Sequence, residues 1–165
     1  MRNFEKITFE RFKEEINTSL DIYNSYKLPE RATKYSAGYD FYAIEDIVIK
    51  PNEIIKIPTG YKAHFGEDEV LFLIIRSSIS LKHNIKLYNQ VGVIDSDYYN
   101  NETNEGHIYV QLINEGKEAY TIKKDSAYLQ AVFCKYLTTV NDNAKEKRRG
   151  GFGSTERKEK TNEII

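Results

Sequence analysis

Three short segments contain side chains that could bind or cleave a phosphate ester. The first is RSSIS, residues 76–80, which follows the apolar run VLFLII. A cation, hydroxyls and backbone amides at a strand end can bind phosphate oxygens, and a helical turn beginning at Ser77 would add its own amides. Taken alone, the segment fits a surface turn with solvated serines better.

The second segment is NQVGVIDSDYY, residues 89–99, in which Asp95 ends an apolar stretch. A carboxylate held against a ligand at that position could accept a proton from an attacking water molecule. The alternative is that residues 95–97 form an ordinary turn, and this segment by itself favours the turn.

The third segment is RRGGFGST, residues 148–155. Its glycines allow close backbone approach, its arginines attract phosphate, and Phe152 could stack on a base. The spacing is not that of a Walker A loop. A flexible basic tail is the alternative. Each segment is a weak signal singly, whereas the ordered set of three is not.

The surrounding sequence predicts a β-rich domain that would position these segments. From about Tyr39 onward, short runs rich in Ile, Val, Tyr and Phe alternate with turn residues, which favours a β-sandwich or barrel. The alternation in HIYVQLI predicts a half-buried strand. Before this region, residues 8–20 predict one amphipathic helix with Thr8 as its N-cap and Phe9, Phe12, Ile16 and Leu20 on one face.

Composition excludes several classes of function. The 165 residues suit one domain, and the net charge of −1 gives no general attraction to nucleic acid or an anionic membrane. The single cysteine, Cys134, excludes an internal disulfide, and the three histidines are too widely spaced for a typical zinc site. The charged start and the lack of an apolar run near ~20 residues argue against a signal peptide or membrane span, so the expected compartment is the cytoplasm.

These three segments and two further strings resemble, in order, the five motifs of the trimeric dUTPase family, from about Lys27 to Thr155. The matching strings are SAGYDFYA (36–43), RSSIS (76–80), NQVGVIDSDY (89–98), LQAVF (129–133) and RGGFGST (149–155). The resemblance implies an all-β, distorted jelly-roll-like barrel or sandwich with a short N-terminal helix, assembled as a homotrimer whose active sites are shared among subunits. The implied divisions are an N-terminal helical extension (1–26), a β domain (27–140) and a flexible tail with the fifth motif (141–165).

The resemblance also implies hydrolysis of dUTP to dUMP and pyrophosphate. Asp95 would deprotonate the water that attacks the α-phosphorus, Asn89 and the hairpin backbone would bind the uracil edge, and Tyr98 would pack beneath the deoxyribose. Ser77 and Gln130 would contact phosphates, Arg76 would support the subunit junction, and Phe152 would close over uracil. The predicted substrate-binding residues are Arg76, Ser77, Ser78, Asn89, Gly92, Ile94, Tyr98, Gln130, Arg148, Phe152, Gly153, Ser154 and Thr155.

Mg²⁺ is the implied cofactor, held through phosphate oxygens and water without a direct protein ligand. Asp40 would lie near that water shell or, alternatively, would pair with Arg76 or backbone amides in its own chain.

The sequence departs from the family pattern at three places. Residues 99–105 form an insertion between Tyr98 and Gly106, at the far end of the expected hairpin. Ala127 stands where a basic residue is common. In the fifth motif, Lys147, Arg148 and Arg149 all remain candidates for the outer phosphates, with Arg148 preferred.

Two other functions are weighed against this one. The related dCTP deaminases use a glutamate on the strand after the hairpin, where this chain has Gln111, and a neutral amide cannot act as the base. A regulatory role through a protein partner, of the repressor-binding type, could involve the 99–105 insertion or the N-terminal helix, and it could coexist with catalysis.

Overall fold

The structure is a computed structural model that describes residues 1–146, 148 and 150. Twelve strands and three helices are formed by these residues, together with one 3₁₀ helix at Ser96–Tyr98. The strands are β1 (Asn3–Lys6), β2 (Glu30–Arg31), β3 (Tyr39–Tyr42), β4 (Ile47–Ile49), β5 (Ile54–Pro58), β6 (Tyr61–His64), β7 (Glu69–Ile75), β8 (Ile85–Leu87), β9 (Gly92–Asp95), β10 (Tyr109–Asn114), β11 (Tyr120–Ile122) and β12 (Ala127–Lys135). The helices are α1 (Phe9–Ile16), α2 (Leu20–Ser25) and α3 (Ser77–His83).

The strands form antiparallel sheets around one apolar core. The largest sheet has the order β2-β3-β12-β7-β9, and a second has the order β5-β10-β8. Two smaller ladders pair β1 with β6 and β11 with β4. In β10 the residues Val110, Leu112 and Asn114 are buried while Gln111 is exposed, which confirms the half-buried strand predicted from the alternation.

The helix predicted over residues 8–20 is two helices. Its beginning is as predicted, because the Thr8 side chain accepts a hydrogen bond from the Arg11 amide. The helix ends at Ile16, since Asn17 adopts a left-handed conformation (φ 54°), and Ser19 caps a new helix that begins at Leu20. Leu20 is therefore 50% exposed and does not share the buried face of Phe12.

A strand that the sequence pattern does not predict precedes α1. β1 pairs in antiparallel register with β6, and its Phe4 ring packs against Phe41 and Phe133 in the core. Four residues are too few to show a period, so this pairing depends on β6 offering an edge. Within the described residues, the helices are too short and too polar to cross a membrane.

Candidate active site

The second and fourth sequence motifs meet where β7 ends and α3 begins. We call Asp40, Arg76, Ser77, Ser78 and Gln130 the β7–α3 junction. Ser77 begins α3, as the sequence predicts for a helical turn at that residue, and both serines are exposed. Polar hydroxyls and the first amides of a helix at an open strand end can contact anionic oxygens.

Asp40 is the buried member of this junction. Its carboxylate lies 3.4 Å from the Arg76 Nε and accepts a hydrogen bond of 3.3 Å from the Gln130 side chain. The Arg76 guanidinium also donates to the Ala127 carbonyl oxygen at 3.1 Å. Of the two alternatives for Asp40, the geometry matches the partner of Arg76, and it fixes Arg76 and Gln130 at the open edge.

The third motif surrounds a cavity of about 480 Å³ between β9 and β10. Three of its lining residues, Asn89, Gly92 and Ile94, are predicted substrate-binding residues, and we call this space the hairpin cavity. The other lining residues are Lys56, Leu73, Leu87, Val93, Tyr109, Val110 and Gln111. A Cβ atom on Gly92 would lie only 3.0 Å from the Leu73 Cβ, so a side chain at residue 92 would require Leu73 to shift by a few tenths of an ångström.

Asp95 lies at the end of β9, directly after the lining residue Ile94, and 51% of its side chain is exposed. The Arg148 guanidinium donates to its Oδ2 at 2.7 Å, and the Arg148 backbone amide donates to the Asp97 carboxylate at 2.9 Å. The guanidinium also lies 5.7 Å from the centre of the Tyr98 ring. Of the three basic candidates in the tail, Arg148 is thus placed beside the predicted catalytic carboxylate of its own chain, while residues 147 and 149 lie outside the described residues.

Tyr98 is buried next to Asp95, in the 3₁₀ helix. Its hydroxyl donates to the His107 carbonyl oxygen at 2.9 Å and accepts a hydrogen bond of 2.8 Å from the Asn104 side chain. Burial raises the pKa of Tyr98, so the ring stays neutral and can offer an apolar face.

Within one chain, the β7–α3 junction and Asp95 are far apart. β9 runs antiparallel to β7 with Asp95 opposite Val70 and Gly92 opposite Leu73, whereas Ser77 follows the other end of β7. The five steps along the strand from Val70 to Ile75 span about 17 Å. The structure thus brings the predicted residues together as two groups at opposite ends of one strand.

Sequence reasoning missed Tyr109 and Lys56 as lining residues of the hairpin cavity. A signal for Tyr109 was available, because the alternation in HIYVQLI places it on the same face as Gln111. The predicted residues Phe152, Gly153, Ser154 and Thr155 lie outside the described residues. Among the residues that the structure describes, no group of three or more His, Cys, Asp or Glu side chains could hold a metal ion.

Comparisons with known proteins agree with this architecture. The family model for dUTPase matches residues 24–156. The deoxyuridine 5'-triphosphate nucleotidohydrolase of Lactococcus lactis is 43% identical over 157 residues, covering 94% of this chain and 97% of that protein. The corresponding protein of Nautilia profundicola is 38% identical over 135 residues, which are 78% of this chain and 89% of that protein.

Solved structures agree as well. The dUTPase of Streptococcus mutans has a TM-score of 0.69 and 37% identity, covering 83% of this chain and 98% of that one. A dUTPase from phage phi11 of S. aureus, whose structure shows a coordinated structural Mg(II) ion, is similar in fold, with a TM-score of 0.65, 20% identity, and coverage of 88% and 97%. dUTPases of this fold are β-jelly-roll trimers, and the predicted fold class is confirmed. The chain belongs to the dUTPase family.

Proposed function

We propose that this protein hydrolyses dUTP to dUMP and pyrophosphate, which limits uracil incorporation into DNA and supplies dUMP for dTTP synthesis. The observation that carries the proposal is an exposed carboxylate, Asp95, at the end of the strand β9 that lines the hairpin cavity, in a member of the dUTPase family. We place this activity in the cytoplasm.

The hairpin cavity takes the deoxyuridine. Asn89 and the backbone at Gly92 and Ile94 hydrogen-bond the uracil edge, and these three residues line the cavity. The close fit of the hairpin around the base leaves no room for a methyl group. The Tyr98 ring lies beneath the deoxyribose, where a 2′-hydroxyl would collide with it. Discrimination against UTP and dTTP therefore depends on shape more than on charge.

Asp95 supplies the chemistry. Its carboxylate takes a proton from a water molecule, whose oxygen attacks the α-phosphorus as the bond to the bridging oxygen breaks and pyrophosphate leaves. The Arg148 guanidinium donates to the Asp95 carboxylate at 2.7 Å, so a cation that can contact an incoming phosphate lies next to the proposed base.

The phosphates are bound at the β7–α3 junction of another subunit. Ser77 and Ser78 donate to phosphate oxygens, Gln130 helps to hold them, and Arg76 keeps the junction in place through Asp40. The separation along β7 favours a homotrimer with shared sites, because the two groups cannot meet within one chain. The tail completes the site by covering uracil and the outer phosphates, and the residues that do so are Arg148, Phe152, Gly153, Ser154 and Thr155.

Mg²⁺ is the proposed cofactor, and the oxygen donors near the cavity suit it. The carboxylates of Asp95 and Asp97 contact Arg148 but remain about half exposed, so they can also hydrogen-bond the water shell of a hard cation, whereas the Asp40 carboxylate is buried. When bound to the triphosphate, the ion would neutralise charge and hold the phosphate groups in the geometry needed for in-line attack.

The deaminase alternative is not favoured. Gln111 lines the hairpin cavity at the position expected for the deaminase glutamate, and its amide cannot accept a proton from water.

Pyrophosphate release from dUTP, dTTP, dCTP and UTP with Mg²⁺ tests the proposal. We expect turnover of dUTP to exceed that of each other nucleotide by at least about 100-fold, because a missing or extra group in a shaped cavity is strongly discriminated. Equal turnover of all four would contradict the proposal, and ammonia release from dCTP would indicate the deaminase.

A further inference from the structure

The side chain of Glu15, on α1, reaches the wall of the hairpin cavity. Its carboxylate accepts hydrogen bonds from the Tyr109 hydroxyl and the Nδ1 of His107, residues that lie 94 and 92 positions later in the chain. Only 18% of the Glu15 side chain is exposed, and Arg11 offers it a further charge contact at 3.5 Å. A carboxylate on an added N-terminal helix is therefore shielded from water by its contacts with the β domain.

The His107 ring orients this carboxylate. His107 is fully buried, and its Nε2 accepts a hydrogen bond of 2.9 Å from the Gly60 amide, so the proton of the neutral ring must be on Nδ1, facing Glu15. Burial is the main reason that the pKa of His107 lies below its usual value of 6.5, which favours this neutral form. The two donors then fix the position of the carboxylate.

Both donors of Glu15 are connected to the cavity. Tyr109 lines it directly, and its ring lies 4.3 Å from the His107 ring, centre to centre. The His107 carbonyl oxygen accepts the hydroxyl of Tyr98, the ring proposed to lie under the sugar. The position of Glu15 thus affects the positions of the Tyr109 and Tyr98 rings, both of which are proposed to lie at the nucleoside.

The insertion holds α1 in the place that this contact needs. The Glu105 carboxylate accepts hydrogen bonds from the backbone amide of Thr8, at 3.0 Å, and from its hydroxyl, at 2.6 Å. Asn104, in the same insertion, donates to the Tyr98 hydroxyl. Residues 99–105 and α1 therefore support one another and the same pair of tyrosines.

We propose that Glu15 is a positioning residue for nucleoside binding, which fixes Tyr109 directly and Tyr98 through His107. The inference rests on the proposed function, because it takes the hairpin cavity as the nucleoside site. Glu15 touches no reacting atom, so its loss weakens binding of the nucleoside and leaves the chemical step nearly unchanged.

The test compares Glu15→Gln, Tyr109→Phe and the double variant in the full-length protein. Binding of dUMP, measured by calorimetry, should weaken about ten-fold in each single variant, because a buried charge-assisted hydrogen bond is lost or weakened. The double variant should be no more than about two-fold weaker than either single one, since both changes remove the same contact. The KM for dUTP should rise in parallel, with kcat within about three-fold of wild type.

Glu14→Gln is the matched control. Glu14 is adjacent on α1 and also pairs with Arg11, but 68% of its side chain is exposed, so dUMP binding should not change. If Glu15→Gln fails to fold, Tyr109→Phe decides alone, because it leaves the contact between Glu15 and His107 in place. Unchanged dUMP binding in folded Glu15→Gln or Tyr109→Phe protein, or two fully additive effects, would overturn the inference. A wild type that binds dUMP without cleaving dUTP would instead contradict the proposed function.

Discussion

The β7–α3 junction and the hairpin cavity lie at opposite ends of β7 and are built in different ways. The junction consists of residues close to a strand end, and its side-chain contacts stay within the sheet: Asp40 with Arg76 and Gln130, and Arg76 with the Ala127 carbonyl oxygen. The hairpin cavity depends on a second set of contacts behind it, from Glu15, Asn104 and His107. The β7–α3 junction is positioned by the sheet alone, whereas the hairpin cavity is also positioned by α1 and by the insertion at residues 99–105.

The difference follows from what each region must do. Phosphates are recognised by charge and by hydrogen bonds that many backbone amides can supply, so a strand end followed by a helix suffices. A nucleoside is recognised by the shape of its surroundings, which changes when an aromatic ring moves. The region that selects the substrate therefore needs more support than the region that holds its charge.

The largest expected effect is at the hairpin end. Asp95→Asn should lower kcat by at least about 1,000-fold, because an amide cannot accept the proton of the attacking water. Binding of dUMP should be retained, since the hairpin cavity is intact. Asp97→Asn, which changes a neighbouring exposed carboxylate, should stay within about ten-fold of wild type in steady-state turnover. An active Asp95→Asn would show that the base lies elsewhere.

The separation along β7 can be tested by mixing. Asp95→Asn and Ser77→Ala should each be nearly inactive as pure trimers, but each retains the part that the other lacks. When the two variants are unfolded together in equal amounts and refolded, they should form trimers of random composition. A quarter of the shared sites then combine an intact Ser77 with an intact Asp95, so turnover should recover to about a quarter of wild type. Trimers mixed without unfolding are the control and should remain inactive. Failure to recover after joint refolding would place the whole site in one chain.

The smallest expected effect distinguishes the two regions by their response to acid. The pKa of His107 is lowered in the folded protein, so below its usual 6.5 the unfolded chain binds a proton that the folded chain does not. As the pH is lowered below 6.5, the free energy of unfolding should therefore decrease by up to about 1.4 kcal/mol per pH unit. Urea unfolding at pH 7.5 and 5.5, at one protein concentration, should show this loss in wild type and a smaller loss in His107→Gln. His83→Gln, at an exposed position, should behave as wild type, and an equal loss in His107→Gln would contradict the assignment.

Much of the fold follows from local pattern. The strand-rich character, the half-burial of β10, the Thr8 cap and the start of α3 at Ser77 are predicted from residues within one or two turns or strands. β1 and the break after Ile16 are not, because β1 is only four residues long and Asn17 and Ser19 override the apolar period.

The candidate site divides in the same way. Asp95, Asn89 and Ser77 belong to contiguous motifs and are predicted from the sequence. The contacts of Glu15 with His107 and Tyr109 join positions more than 90 residues apart, and a glutamate on an amphipathic helix is indistinguishable in sequence from its solvated neighbour Glu14. Such a residue is recognised only when the fold brings its partners to it.

Because β7 separates the two groups of site residues, the turnover rate should also report how much of the protein is assembled as trimers. Ser77 follows the end of β7 that lies about 17 Å along the strand from the residue opposite Asp95. A separated subunit would therefore have no complete site. Specific activity should then depend on protein concentration, falling on dilution as trimers dissociate and returning when the protein is concentrated again.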